Sequence, residues 1–171
     1  HDLYQELNQS DGVRPITAGD LLAESPPTTA LRLGAGSWGA NGDFSKWLNQ
    51  ETEWTWERLW PLEERFWNAV PSAMLRPDVV PILEQAAREL LLAQSSDWQF
   101  IITTGAAADY ATARFEGHAA DCQELLGIID VALAGGEIGR GVQRAAELQQ
   151  RDDLFRDILP AIEHSLGISA S

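Results

Sequence analysis

Residues 111–129 read ATARFEGHAADCQELLGII. Ala111, Phe115, His118, Cys122, Leu125 and Ile129 follow one another at steps of 4, 3, 4, 3 and 4, the spacing that aligns side chains on one face of an α-helix. This is a long helix with a buried stripe, and Gly135-Gly136 ends it. The same logic extends upstream. Pro77 to Gln94 forms a second strong helix, with Val80, Leu83, Ala87, Leu90, Leu91 and Ala93 apolar and its prolines early, where they are tolerated. Thr52 can cap a helix from Glu53 to Ala69, which Pro61 should kink because its ring removes a backbone donor. Thr17, with Asp20 in the capping-box position, opens a short helix to about Glu24, and Pro26-Pro27 stops it.

The ends are weaker. Leu3, Tyr4 and Leu7 have helical spacing before Ser10-Asp11-Gly12, so residues 1–10 read as the end of a helix continuing from a preceding part. Glu137 to about Leu148 and Asp153 to Leu166 read as two weaker helices. Residues 34–43, GAGSWGANGD, have no periodicity and form a glycine-rich loop; Phe44 to Leu48 can add one helical turn. The segment AQSSDWQFIITTG breaks the preceding helix at Ser95-Ser96, and the next helix starts after Gly105. The expected fold is all-α: a bundle of four to six helices with a long glycine/tryptophan-rich loop, in one domain over residues 1–171.

Composition narrows the partners. The chain carries 26 acidic against 12 basic side chains, a net charge of -14. Such a surface repels phosphate backbones and anionic lipid, so nucleic acid and membranes are excluded as partners, while neutral ligands such as uncharged sugars carry no penalty. A single cysteine, Cys122, rules out an internal disulfide or a cysteine-based zinc cluster and fits a cytoplasmic location. The first residues carry no basic patch followed by an apolar run, so no signal peptide is expected, and no uncharged apolar stretch approaches membrane-spanning length.

No complete catalytic apparatus is visible. The three histidines, His1, His118 and His164, are far apart and lack metal-ligand spacing, so no metal or cofactor is expected. His118 and Cys122 share the apolar stripe, where a satisfied core histidine and a packed thiol are the favoured readings. Glycoside cleavage needs two carboxylates flanking the bond, but Glu63, Glu64, Asp152 and Asp153 sit in charge patterns that read as solvated. Asp97 differs: it falls at a helix break beside Trp98, where it can either point into a cleft or cap the following turn.

Six of the seven tryptophans lie between Trp38 and Trp67. Trp54, Trp56, Trp60 and Trp67 are at helical spacing, which favours core packing. Trp38 and Trp47 are in or beside the glycine loop, where an indole either plugs a hydrophobic hole or presents its face to the apolar side of a pyranose ring.

Taken in order, several motifs resemble the C-terminal region of glycoside hydrolase family 57 branching enzymes. They are Ile16-Thr17 with Asp20-Leu21-Leu22 and Pro26-Pro27; Ser37-Trp38-Gly39 with Gly42 and Trp47-Leu48-Asn49; Glu53-Trp54-Thr55-Trp56; Glu89 through Trp98 with Phe100-Ile101; and Tyr110-Ala111 with Arg114-Phe115 and His118. The resemblance covers about residues 3 to 130. It implies a helical region that closes over the α-glucan cleft of an N-terminal catalytic barrel in the same polypeptide. That barrel supplies the glutamate nucleophile and aspartate acid/base, whose motifs are absent here, so this chain alone is expected to be inactive and to hold no catalytic residue. The resemblance further implies substrate contacts at Trp38, Trp47, Gln94, Asp97 and Trp98, in transfer of an α-1,4 glucan segment to a 6-hydroxyl. The alternatives are a family 57 4-α-glucanotransferase or amylase domain, a non-catalytic carbohydrate-binding module, or a helical interaction module.

Overall fold

The computed structural model describes residues 2–39 and 41–167; His1, Ala40 and residues 168–171 lie outside the described residues. Among the described residues there are eight helices and no strand, as the all-α reading expects. They group into two compact units, His1–Ala35 and Gly36–Ser171.

The first unit holds α1 (Asp2–Gln9) and α2 (Ala18–Glu24). Gly12, at φ +87, supplies the left-handed residue that turns the chain after α1. Thr17 caps α2 as expected: its Oγ1 accepts from the Asp20 N–H at 3.2 Å and donates to Asp20 Oδ2 at 2.7 Å. Leu21, Leu22, Leu31 and Leu33 are all exposed, so these residues build no core of their own.

The second unit contains six helices: α3 (Glu53–Ala73), α4 (Val80–Ala93), α5 (Asp97–Thr104), α6 (Ala108–Leu133), α7 (Gly139–Arg151) and α8 (Ile158–Ser165). The stripe on α6 decides the packing. Phe115, Cys122, Leu125 and Ile129 have 0% exposure, and α6 touches α3, α4, α5 and α7. From α4, Ile82, Leu83, Ala86, Ala87, Leu90 and Ala93 complete the centre. Each buried aliphatic or aromatic side chain of this size contributes about 1.5–3 kcal/mol relative to exposure.

Four local expectations need correction. First, the aromatic stripe of α3 is not its core face. Thr55, Leu59, Leu62, Phe66, Ala69, Val70 and Ala73 are buried, whereas Trp60 and Trp67 are exposed and Trp54 and Trp56 only half-buried. Both stripes have helical spacing; the aliphatic one wins because its smaller side chains let α3 approach α4 and α6 closely. Second, α3 continues through Pro61 and Pro71 to Ala73 rather than ending at Ala69. Third, the Ser95-Ser96 break leads directly into a short helix, α5, which Gly105 ends at φ +70 while its N–H reaches the Ile101 and Ile102 carbonyls at 3.0 and 3.1 Å. Fourth, Asp152, expected to be solvated, is 6% exposed and paired with Arg151.

Candidate functional site

The glycine-rich loop folds on itself through backbone bonds. Ser37 N–H donates to the Gly42 carbonyl at 2.9 Å, and Gly42 N–H to the Gly39 carbonyl at 3.0 Å. Two glycines are needed for this. Gly42 is at φ +69, and a Cβ on Gly39 would run into the Asp43 carbonyl. The Ser37 hydroxyl donates to that same carbonyl and accepts from the Gly39 N–H at 3.0 Å. The Ser45 hydroxyl and N–H both bond Asp43, which lowers the Asp43 pKa below the usual carboxylate value. The closed loop displays Trp38, which is 87% exposed.

The chain after the loop is clamped to the helices. Trp47 Nε1 donates to the Ser96 carbonyl at 3.0 Å, and the Trp47 carbonyl accepts from Thr52 Oγ1 at 2.9 Å and Trp56 Nε1 at 2.7 Å. This explains why Thr52 makes no side-chain cap on α3: its hydroxyl is turned back to the Trp47 carbonyl. Thr103 of α5 donates to the Lys46 carbonyl at 2.8 Å and accepts from Asn49 Nδ2 at 2.9 Å. Phe100, also on α5, lies under the aromatic loop, stacked on Trp38 at 6.1 Å between ring centroids and tilted against Trp47 at 5.9 Å.

The product is a shallow, open groove of about 560 Å³, walled by Trp38, Phe44, Trp47, Leu48, Trp56 and Trp60 and edged by Ser37 and Ser96. No charged side chain lines it, although the chain as a whole carries -14. An uncharged, aromatic, hydroxyl-edged surface suits a neutral ligand with one apolar face.

The structure distributes the sequence candidates unevenly. Trp38 and Trp47 share the groove. Asp97 is exposed at the first turn of α5, next in sequence to groove-lining Ser96, and accepts from Ser95 Oγ at 3.1 Å; it does not cap α5. Trp98 packs inward: its Nε1 donates to the Leu92 carbonyl at 2.7 Å, and its ring stacks beside His118 at 6.4 Å. Gln94 lines a different apolar hollow, with Phe66, Trp67, Leu91 and Ile162. Trp60 and Phe44 also belong to the groove, and nothing in their sequence setting marks them as contacts. The helical spacing of Trp60 pointed instead to the core.

A second polar constellation lies inside the bundle. Glu89 Oε2 is 2.7 Å from His118 Nδ1, both residues being almost completely buried, and Glu89 Oε1 accepts from Gln85 Nε2 at 2.9 Å. Arg151 joins the cluster, 3.6 Å from Glu89 Oε2, 2.7 Å from Asp121 Oδ2 and 2.5 Å from Asp152 Oδ2. The hydrogen bonds to Asp121 and then to Asp152 raise the Arg151 pKa further, outweighing its partial burial. Ligand atoms of Glu89, His118 and Asp152 fall within 4.8 Å of one another, but the Arg151 guanidinium already supplies the positive charge that their carboxylates require. The cluster ties α7 to α4 and α6 through its ion pairs, but the core histidine is only half satisfied: His118 Nε2 is buried with no hydrogen-bond partner among the described residues. Beside it, burial foremost and the Glu89 charge next push the Cys122 thiol up to about 12, leaving a packed, neutral side chain.

Comparison with known proteins places this architecture. Residues 62–162 match the family model for the C-terminal domain of 1,4-alpha-glucan branching enzyme. The chain is 39% identical over 156 residues to a 1,4-alpha-glucan branching enzyme of Thermococcus kodakarensis, covering 90% of this chain and 23% of that protein. It is 27% identical over 151 residues to a probable 1,4-alpha-glucan branching enzyme of Mycobacterium tuberculosis, covering 84% and 28%. The GH57-type branching enzyme crystal structure from Pyrococcus horikoshii superimposes with a TM-score of 0.75 at 33% identity, over 88% of this chain and 28% of that one. The GH57 branching enzyme of Thermococcus kodakaraensis, crystallised with glucose and additives, gives 0.73 at 38% identity, over 91% and 27%. The chain thus spans only 23% to 28% of the length of these relatives. With its motifs, its helical bundle and this match all agreeing, the chain belongs to the C-terminal domain family of GH57 1,4-alpha-glucan branching enzymes.

Proposed function

We propose that this chain forms one side of an α-glucan cleft in a branching enzyme, with Trp38 and Trp47 as its aromatic wall. The observation that carries the reading is the groove without charged lining in which both indoles lie, Trp47 bonded to the Ser96 carbonyl and both rings packed against Phe100. A pyranose ring presents CH groups on its faces and hydroxyls around its rim. Indole faces accept the former, and Ser37 and Ser96 offer polar edges for the latter.

In this reading, the N-terminal barrel of the same polypeptide contributes the two carboxylates of a retaining double displacement. One attacks the anomeric carbon to form a glycosyl–enzyme intermediate. The other protonates the departing oxygen and then deprotonates the incoming 6-hydroxyl. The helical domain holds the glucan in register and keeps bulk water from the intermediate, which favours transfer over hydrolysis. Asp97 is exposed beside Ser96 and available to accept from a sugar hydroxyl; in the same reading Trp98, bonded to the Leu92 carbonyl, and Gln94, in the adjoining hollow, complete the glucan contacts. The substrate is a neutral α-glucan and the setting is the cytoplasm. Nucleic acid is no partner of so acidic a surface, and no helix among the described residues is long and apolar enough to cross a membrane.

The test is to make Trp38→Ala and Trp47→Ala in the full natural polypeptide and measure melting temperature and branching rate by iodine staining of amylose. The reading expects a lowered rate for both, with Trp38→Ala melting like the wild type. If Trp38→Ala branches at the wild-type rate, the aromatic-wall role is wrong.

A further inference from the structure

Trp60 lines the groove beyond the Trp38 and Trp47 wall, a position that its helical spacing in the sequence does not suggest. It projects from the outer face of α3 one turn after Trp56, 56% exposed, and its ring lies 5.8 Å from that of Trp56 at a tilt of 37°. Both indoles face the same groove as Trp38 and Trp47. The four rings differ in one respect. The Nε1 groups of Trp47 and Trp56 are spent on the Ser96 and Trp47 carbonyls. Those of Trp38 and Trp60 have no hydrogen-bond partner among the described residues. The groove thus has two indoles fixed by hydrogen bonds and, on loop and helix respectively, two exposed ones that offer both a flat face and a free N–H donor. A face plus a donor is what a sugar ring with a hydroxyl rim can use.

We infer that Trp60 is a second sugar-stacking platform, which makes the groove a site for consecutive glucosyl units of one α-glucan chain rather than for a single ring; this rests on the glucan reading of Trp38 and Trp47. The occupant follows from the groove's continuity with that wall and from its lack of charge, which offers nothing to an anionic ligand or a basic peptide. Trp60 would then set chain-length preference: a short oligosaccharide can satisfy Trp38 and Trp47 alone, and only a longer one extends past Trp56 to Trp60.

The experiment uses the full natural polypeptide with Trp60→Ala, Trp60→Phe, Trp38→Ala and, as a control, Trp67→Ala. Trp67 is an exposed tryptophan of the same helix that lines a separate hollow. Titration calorimetry with maltotriose and maltoheptaose reads affinity, and branching of amylose reads KM and kcat. Trp60→Ala should bind maltoheptaose about tenfold more weakly, leave maltotriose binding unchanged, and raise KM with little change in kcat. Trp60→Phe, which keeps a ring face but lacks the N–H donor, should recover only part of the affinity, and Trp67→Ala should behave as wild type. Unchanged maltoheptaose affinity in Trp60→Ala overturns the inference. So does a lowered melting temperature or an altered oligomeric state with unchanged sugar binding, which would make Trp60 a protein-packing residue. If Trp38→Ala loses affinity and Trp60→Ala does not, only the second platform fails; if neither loses affinity, the glucan reading of the groove fails with it.

Discussion

Replacing Glu89 by alanine should be among the most destabilising single changes in this chain. The carboxylate has 0% exposure and serves two side chains that are themselves buried, Gln85 through Oε1 at 2.9 Å and His118 through Oε2 at 2.7 Å. Alanine strands both. The Gln85 amide and the imidazole Nδ1 cannot reach water, and the nearest remaining cation, Arg151, is committed to Asp121 and Asp152. Removing one partner of a buried charged cluster costs about 3–5 kcal/mol, set against a typical total stability of about 5–15 kcal/mol. For a chain of this size, each kcal/mol moves the melting temperature by about 2–4 °C, so the shift should be roughly 6–20 °C. Arg58→Ala is the comparison. Its pair with Glu116 spans 3.2 Å between side chains that are about half exposed, and such surface pairs are worth about 0–1 kcal/mol. Urea unfolding followed by circular dichroism reads both variants. If Glu89→Ala loses no more than Arg58→Ala, the cluster does not hold α4, α6 and α7 together as described.

Other outcomes follow from the same geometry. Gly141→Ala should destabilise by about 1–3 kcal/mol in thermal unfolding, because its Cβ would collide with Ile128 Cγ2 and lie 3.1 Å from Ile82 Cδ1. Gly117→Ala, on α6 with open space around the new methyl, should instead stabilise by up to about 1 kcal/mol. Cys122 should resist iodoacetamide at neutral pH until the protein unfolds. Because its thiol rises from an ordinary 9.0 to about 12 in the fold, the folded state keeps a proton that the unfolded state releases. Its contribution is therefore complete below about pH 9 and is lost as pH climbs toward 12, a loss that Cys122→Ala should remove from the stability profile. The 171-residue chain by itself should show no branching of amylose, and activity from the purified chain would overturn the assignment of both carboxylates to the barrel.

The fold was legible where one periodicity dominated. The α6 stripe from Ala111 to Ile129 is buried as its spacing demands, and Thr17 caps α2 where the capping pattern places it. The α3 segment was harder because it carries two helical stripes at once. Hydrophobicity alone favoured the tryptophans, and only close packing against α4 and α6 selects Leu59, Leu62 and Phe66. The short helix α5 was hidden by Thr103-Thr104 and by the serines before it, residues that favour turns until tertiary contacts hold them. At the site, the glycine loop announced Trp38, since a glycine-flanked indole has little to pack against. Trp60 was invisible for the opposite reason: its spacing matched a core stripe, and exposure is decided by neighbours far away in sequence. The Glu89–His118 contact joins residues 29 apart, and spacing within one helix cannot reveal it.

The most direct test of the central claim is a crystal structure of the full natural polypeptide soaked with maltoheptaose. The account predicts glucosyl rings in the groove, one lying parallel to the Trp38 indole and the chain continuing past Trp47 toward α3. Sugar bound only elsewhere, with Trp38 and Trp47 bare or covered by another part of the protein, would contradict it.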